Sequence, residues 1–295
     1  MAGGKGAHLD QYESLARNTY LAVSKLSGEV KDSRIFLAAP ITLEEIEMHF
    51  GHLITKEDSI RWESSSQSVV ARRERHLGSM ILSDGPISDP DESLILEALI
   101  KGVGQAGIGS LPWNKKSRIF QSRVNFLHKT ISNFPDFSDD FLLENLAGWL
   151  APWLDKMIRL DHLKRLDLRM ILSAMLSYEE LQLLDKEAPT HIMVPSGSRI
   201  PVDYEDPGRP LLAVRLQEMF GLLKTPCVAS GRVKLKLHLL SPASRHIQVT
   251  EDLAVFWKKT YFDVKKDLKG RYPKHYWPDN LLDAMPTKRI KKIKN

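Results

Sequence analysis

The ten residues KGRYPKHYWP, 269–278, set Lys269, Arg271, Lys274 and His275 among Tyr272, Tyr276 and Trp277, and no carboxylate interrupts them. Basic side chains neutralise phosphates and release counterions. Aromatic rings stack on unpaired bases, each stack contributing about 1–3 kcal/mol. Together they supply what recognition of single-stranded RNA requires. The preceding segment adds Lys258, Lys259, Lys265 and Lys266, diluted by Asp263 and Asp267. A second reading stands beside the first: the rings close a C-terminal core and the lysine stems cover them. Under it Tyr272 and Trp277 are packing residues, while Arg271 and Lys274 face solvent.

Two further basic clusters invite the same question. ARRERHLG holds Arg72, Arg73 and Arg75. On a strand Arg73 and Arg75 share a face and Arg72 points the other way. That face either tracks a nucleic-acid backbone or is solvated and balanced by Glu74 and other acids, and the sequence leaves both open. The tail, TKRIKKIKN, carries Lys288, Arg289, Lys291, Lys292 and Lys294. Such tails bind polyanions without specificity or simply fray.

Catalytic constellations are missing. There is no G-x-x-x-x-G-K-[ST] loop, no acidic box to hold Mg²⁺ beside one, and no G-x-S-x-G elbow. Residues 102–107, GVGQAG, match G-x-G-x-x-G, but a helix-like ILEALIK precedes them where the dinucleotide fingerprint needs a strand. They read as a helix end followed by a flexible connection. His49 and His52 lack nearby metal partners, and Asp139 and Asp140 read as acids at a helix N-terminus. The single cysteine, Cys227, excludes an internal disulfide and Cys-x-x-Cys metal sites. No cofactor site is expected in this chain.

The elements that would position these residues fall into three stretches and a tail. Residues 1–88 read as short strands with one inserted helix, whose capping box is Thr42 with Glu45. That pattern suggests a small OB-like β-barrel. Residues 89–187 read as helices: SDPDESLILEALIKG ending at Gly102, KKSRIFQSRVNFLHKTI with Ile119, Val124, Phe126 and Leu127 on or near one face, and a segment capped by Ser177 and Glu180. Residues 188–285 read as an α+β domain. Two strands flank a Ser-Gly-Ser turn, RPLLAVRLQEMFGLLKTP is a helix closed by Gly221, and VKLKLHLLS is a strand with one wet face. A helix of about six turns closed by Gly270 follows, its stripe formed by Leu253, Phe256, Trp257, Tyr261, Val264 and Leu268. Residues 286–295 form the basic tail. The fold class is therefore α+β.

The chain has 295 residues, 42% hydrophobic and 27% charged, with a net charge of +5. That is ordinary globular composition with a modest basic excess. No apolar run is long enough to span a bilayer, and the start has no signal-peptide core. The cytoplasm is the expected location, with no membrane partner.

The segments PSGSRIPVDYED, LLAVRLQEMFGL, TPCVASGRVKLKLHLLSP, IQVTEDLAVFW and KGRYPKHYWPD closely resemble the C-terminal region of HrpB-type ATP-dependent helicases, which are DEAH-box proteins. GGKGAHL, RIFLAAPI, VVARRERHLGSMIL, LPWNKKSRIFQSRVNFL and LAGWLAPWL extend the resemblance over nearly the whole chain. It implies an OB-like barrel followed by a family-specific C-terminal domain, without the two RecA-like motor domains. ATP and Mg²⁺ would then enter only with a separately encoded motor, and this chain alone would be inactive. SPASRHIQVT departs slightly from the family pattern, which puts the role of the Ser244–His246 turn in question. The partner implied is single-stranded RNA or another nucleic acid. The alternatives are a protein-interaction module anchored by Trp277, Tyr276 and the 253–268 helix, or an inactive fragment.

Overall fold

The computed structural model describes residues 1–9, 13–27, 33–281 and 284–288. Two compact units are present, Met1–Gly107 with Leu154–Lys164, and Ile108–Trp153 with the chain from Arg165 on. Helices and strands are mixed in both, an α+β architecture.

In the first unit β1 (Ala7–His8), β2 (Leu21–Ser27) and β3 (Ser33–Pro40) form one sheet in the order β1-β3-β2, with β1 parallel to β3 and β2 antiparallel to it. The helix α1 (Leu43–Phe50) starts at the predicted capping box. The Thr42 N–H donates to Glu45 Oε2 at 2.9 Å, and the Glu45 N–H donates to Thr42 Oγ1 at 3.2 Å. Two of the helix's orphan donors are thereby satisfied locally. β4 (Ile54–Glu63), β5 (Ser68–Leu77) and β6 (Met80–Pro86) form an antiparallel meander. Gly78 makes its second turn at φ +59°, where an added Cβ would fall 2.2 Å from the Ala2 carbonyl oxygen. Residues 154–164 return to this sheet: the Val69 N–H donates to the Ile158 carbonyl at 2.7 Å, and the Leu160 N–H to that of Gln67 at 3.1 Å.

The expected OB-like barrel requires correction. Among the described residues the strands form two separate three-stranded sheets and no closed barrel. The helix α2 (Glu92–Ala106) packs on β4 and β5. It also corrects the expected stop at Gly102. The helix runs one turn further, to a cap at Gly107 with φ +82°. Gly102 is buried in its interior because the Trp62 indole lies against it, with Cδ2 2.2 Å from where a Cβ would stand. The G-x-G-x-x-G match is thus a helix surface shaped for a tryptophan.

The second unit opens with α3 (Lys115–Thr130), α4 (Asp139–Glu144), α5 (Leu146–Trp149), α6 (Leu168–Ala174) and α7 (Tyr178–Glu187), the last started by the Ser177–Glu180 capping box. On α3, Val124, Phe126 and Leu127 are buried as expected, but Ile119 is exposed. Buried Arg123 takes its place in the interface with α7. Its guanidinium donates to the Ala188 carbonyl at 2.6 Å, the Leu184 carbonyl at 3.2 Å and Asp185 Oδ1 at 2.6 Å. It gives the Ala188 carbonyl a donor and adds a second one to the Leu184 carbonyl, which already accepts the Ala188 N–H at 3.0 Å.

A five-stranded sheet follows, ordered β13-β12-β9-β8-β7. Its members are β7 (His191–Met193), β8 (Arg199–Asp203), β9 (Leu211–Arg215), β12 (Lys236–Leu240) and β13 (His246–Thr250). β10 (Cys227–Val228) and β11 (Val233–Lys234) form a small separate ladder. The predicted helix over RPLLAVRLQEMFGL is corrected here: LLAVR is a strand and only Leu216–Met219 forms a short 3₁₀ turn. Leu212 and Val214 alternate into the core, and β9 pairs in parallel with β12. That pairing overrides the helical preference of a Leu-rich segment. The chain then enters α8 (Leu253–Val255), a π-helical turn at Phe256–Thr260 and α9 (Tyr261–Arg271). The long amphipathic helix is therefore present with one wide turn in it, and Gly270 lies inside rather than closing it.

Candidate nucleic-acid interface

The KGRYPKHYWP segment turns back on the helix that precedes it. The Tyr272 N–H donates to the Leu268 carbonyl at 2.7 Å and the His275 N–H to that of Tyr272 at 3.1 Å. Trp277 Nε1 donates to the same Tyr272 carbonyl at 3.0 Å, and the Tyr261 hydroxyl donates to the Pro278 carbonyl at 2.9 Å. Lys265, buried, donates to Pro278 O at 3.1 Å and pairs with Asp279. Asp279 is held below the usual carboxylate range by that bond and by the charges of Lys265 and Lys269. Burial drives the Tyr261 hydroxyl far above its ordinary pKa, so it stays a neutral donor.

This geometry sorts the sequence-named residues. Trp277 is buried and Tyr272 half-buried, with its hydroxyl 3.5 Å from Ser241 Oγ. Both are packing residues, which removes Trp277 as an exposed anchor for a partner. Tyr276 stays accessible at the edge of the ring cluster, 6.2 Å from Phe220. Lys269 and Lys274 are exposed, and Arg271 makes a solvent-facing pair with Asp267 at 3.2 Å. His275 stacks edge-on against Tyr272 at 6.0 Å. Burial and then the Arg215 charge push its pKa down.

The arginines of β5 are arranged differently. Arg73 forks onto Asp58 with two 2.6 Å bonds, Arg72 pairs with Asp84 at 2.5 Å, and Arg75 pairs with Glu47 at 2.6 Å. Each of these three guanidiniums already has a carboxylate. Arg289, Lys291, Lys292 and Lys294 of the tail lie outside the described residues; Lys288 is exposed.

Sequence reasoning missed Arg215, whose charge reaches His275, and two histidines on the same sheet as Arg215. Arg215 ends β9, where its Nε and Nη2 donate to Ser244 Oγ at 3.3 and 3.1 Å. Ser244 holds that position from a left-handed backbone at φ +60°, unusual for a side-chain-bearing residue. His238 on β12 and His246 on β13 meet edge to face at 5.3 Å. Burial, then His246 and Lys236, push the His238 pKa down. The wet face predicted for VKLKLHLLS was the available signal, because it sets Lys236 and His238 on one side of the strand. Arg215 gave none while its segment read as a helix.

No group of three or more His, Cys, Asp or Glu side chains able to hold a metal occurs among the described residues. Among them, no helix is long and apolar enough to cross a membrane.

Residues 149–281 match the family model described as ATP-dependent helicase C-terminal, HrpB_C. The chain is 37% identical over 296 residues to the ATP-dependent RNA helicase HrpB of Escherichia coli (strain K12), covering 99% of this chain and 37% of that protein. The crystal structure of E. coli DExH-box NTPase HrpB superposes with a TM-score of 0.67 at 36% identity, over 98% of this chain and 36% of that one. A second, the crystal structure of Escherichia coli DEAH/RHA helicase HrpB, gives 0.58 at 33% identity over 94% and 35%. The chain thus spans little more than a third of the length of these relatives. In its sequence and in its fold the chain is similar to the C-terminal region of HrpB-type helicases.

Proposed function

We propose that this chain serves as the accessory C-terminal region of an HrpB-like ATP-dependent RNA helicase and binds single-stranded RNA or another nucleic acid. The ATP and Mg²⁺ chemistry belongs to a motor, which on this reading acts in the cytoplasm together with this region. One observation supports the reading best. In the second unit Lys269, Lys274 and His275 stand beside an accessible tyrosine, Tyr276, in a segment whose backbone is pinned by hydrogen bonds. The carboxylate-bound Arg72, Arg73 and Arg75 fit a backbone-binding role less well.

The test is fluorescence anisotropy of a labelled single-stranded RNA across a salt series, with Lys269→Ala/Lys274→Ala alongside. Binding should weaken steeply with salt, and the double variant should flatten the slope of log K against log salt by about 1.4, at ~0.7 per lost phosphate contact. A folded protein that does not bind at low salt would overturn the proposal. A second reading, docking of a protein partner, is favoured by the first unit, where Phe36, Leu37, Met48 and Leu53 are each more than half exposed. It predicts partner affinity that barely changes with salt.

A further inference from the structure

We infer that the open face of the five-stranded sheet, from Arg215 and His246 through His238 and Lys236 into the cleft beside α3, is a track for single-stranded nucleic acid. The inference rests on the function proposed above and gives it a location away from the Lys269–His275 segment alone.

The sheet has one buried face, carrying Val202, Leu212, Val214, Leu237 and Leu239. The alternate positions form the other face, and the register fixes their neighbours. Lys236 lies across from Leu211, His238 across from Ala213, and Leu240 across from Arg215. On the far side His246 stands opposite Leu240 and Val249 opposite His238. Cations and imidazoles are thus interleaved with small apolar side chains, the surface on which bases lie flat and phosphates are paired.

The face continues into a cleft of about 930 Å³. Leu211, Ala213 and Pro201 form its floor, and Lys115, Arg118 and Ile119 of α3 stand over it. The exposure of Ile119, unexpected from the sequence, gives this cleft an apolar wall. Asp203 and Glu205 line its β8 side, and Asp139 is occupied by Arg118 at 2.8 Å.

Charge selects the occupant. Arg118, Arg123 and Arg271 are each paired with a carboxylate, whereas Arg215 is held by a neutral serine hydroxyl. Lys236 lies close enough to His238, and Arg215 to His275, for their charges to disfavour protonation of those rings, after burial. Arg215 and Lys236, gathered on the β9–β12 part of the face and apart from Asp203 and Glu205 on the β8 side of the cleft, leave a site for an anion there, and the strained Ser244 turn fixes the guanidinium in place for it.

The experiment repeats the anisotropy titration at ~0.05 M salt with Arg215→Gln, Lys236→Gln and His238→Gln/His246→Gln, each checked for folding by circular dichroism. Losing one phosphate contact at that salt should weaken binding about eightfold and lower the salt slope by ~0.7. That result is expected for Arg215→Gln and for Lys236→Gln, with a duplex of the same sequence binding more weakly than the single strand. If the parent protein binds RNA but both single variants bind as tightly with an unchanged slope, the track is elsewhere and only this inference fails. If the parent does not bind at all, the function proposed above fails first. Displacement of RNA by polyglutamate at equal charge concentration would also overturn the inference, because the face would then be a general anion surface.

Discussion

Replacing Gly102 by alanine tests the packing that removes the dinucleotide reading. The new methyl would stand 2.2, 2.4 and 2.6 Å from three carbons of the Trp62 indole. Ordinary carbon contacts lie at about 3.5–4.0 Å, so the ring must move by more than an ångström. Overpacking of this kind costs about 1–3 kcal/mol, and displacement of a large planar ring belongs toward the upper end. Alanine also raises helix propensity by about 1 kcal/mol over glycine in a helix interior. The expected net loss is about 1–2 kcal/mol. Urea unfolding followed by circular dichroism and tryptophan fluorescence measures it. The same change made in a Trp62→Leu background removes the clash, so Gly102→Ala should there be neutral or stabilising by up to about 1 kcal/mol. A Gly102→Ala protein as stable as the parent, or equal losses in both backgrounds, would refute the argument.

Other expectations concern the second unit. Arg123→Met should destabilise by about 2 kcal/mol, because the Ala188 carbonyl loses a buried donor that a thioether cannot replace, while the Leu184 carbonyl keeps the Ala188 N–H. Urea unfolding reads it, and a loss below about 1 kcal/mol would show that the Ala188 carbonyl finds another donor. His238 has a folded pKa below its unfolded value, so the unfolded state takes up the proton first. Its effect on stability is absent above about pH 7 and becomes a loss as pH falls through the ordinary histidine value of about 6.5 towards the lowered one. Thermal midpoints at neutral and mildly acidic pH should therefore fall less in His238→Gln than in the parent, and equal falls would contradict the assignment.

Local chemistry was legible in the sequence wherever it was self-contained. Thr42 with Glu45 and Ser177 with Glu180 are reciprocal bonds across three residues, so their spacing alone identifies them. The wet face of VKLKLHLLS follows from strict alternation. LLAVR was not legible, because leucine and alanine suit a helix and the deciding fact is a parallel partner more than twenty residues ahead. Gly102 looked like a helix stop because nothing nearby in the sequence announces Trp62. The candidate site was half visible. Composition marked the Lys269–Trp277 segment, but only the fold shows that Trp277 is spent on its own loop. For the β5 arginines, Asp58 lies opposite Arg73 in the β4–β5 register, and Glu47 reaches Arg75 from α1. Arg215, His238, His246 and His275 come from four separate segments, and no motif spans them.

The interleaving of the two units along the chain affects how the protein can be divided. The backbone passes from one unit to the other three times, after Gly107, after Trp153 and after Lys164. A fragment cut to the family boundaries, 149–281, would take Tyr204 away from Phe126, its ring neighbour at 5.0 Å, and the end of α7 away from Arg123. It would also carry Arg159 without its bridge partner Ser68. The span that sequence comparison recognises as a module is therefore not a packing unit: a gene rearrangement moving only that span would leave behind Phe126, Arg123 and Ser68, on which its residues rest.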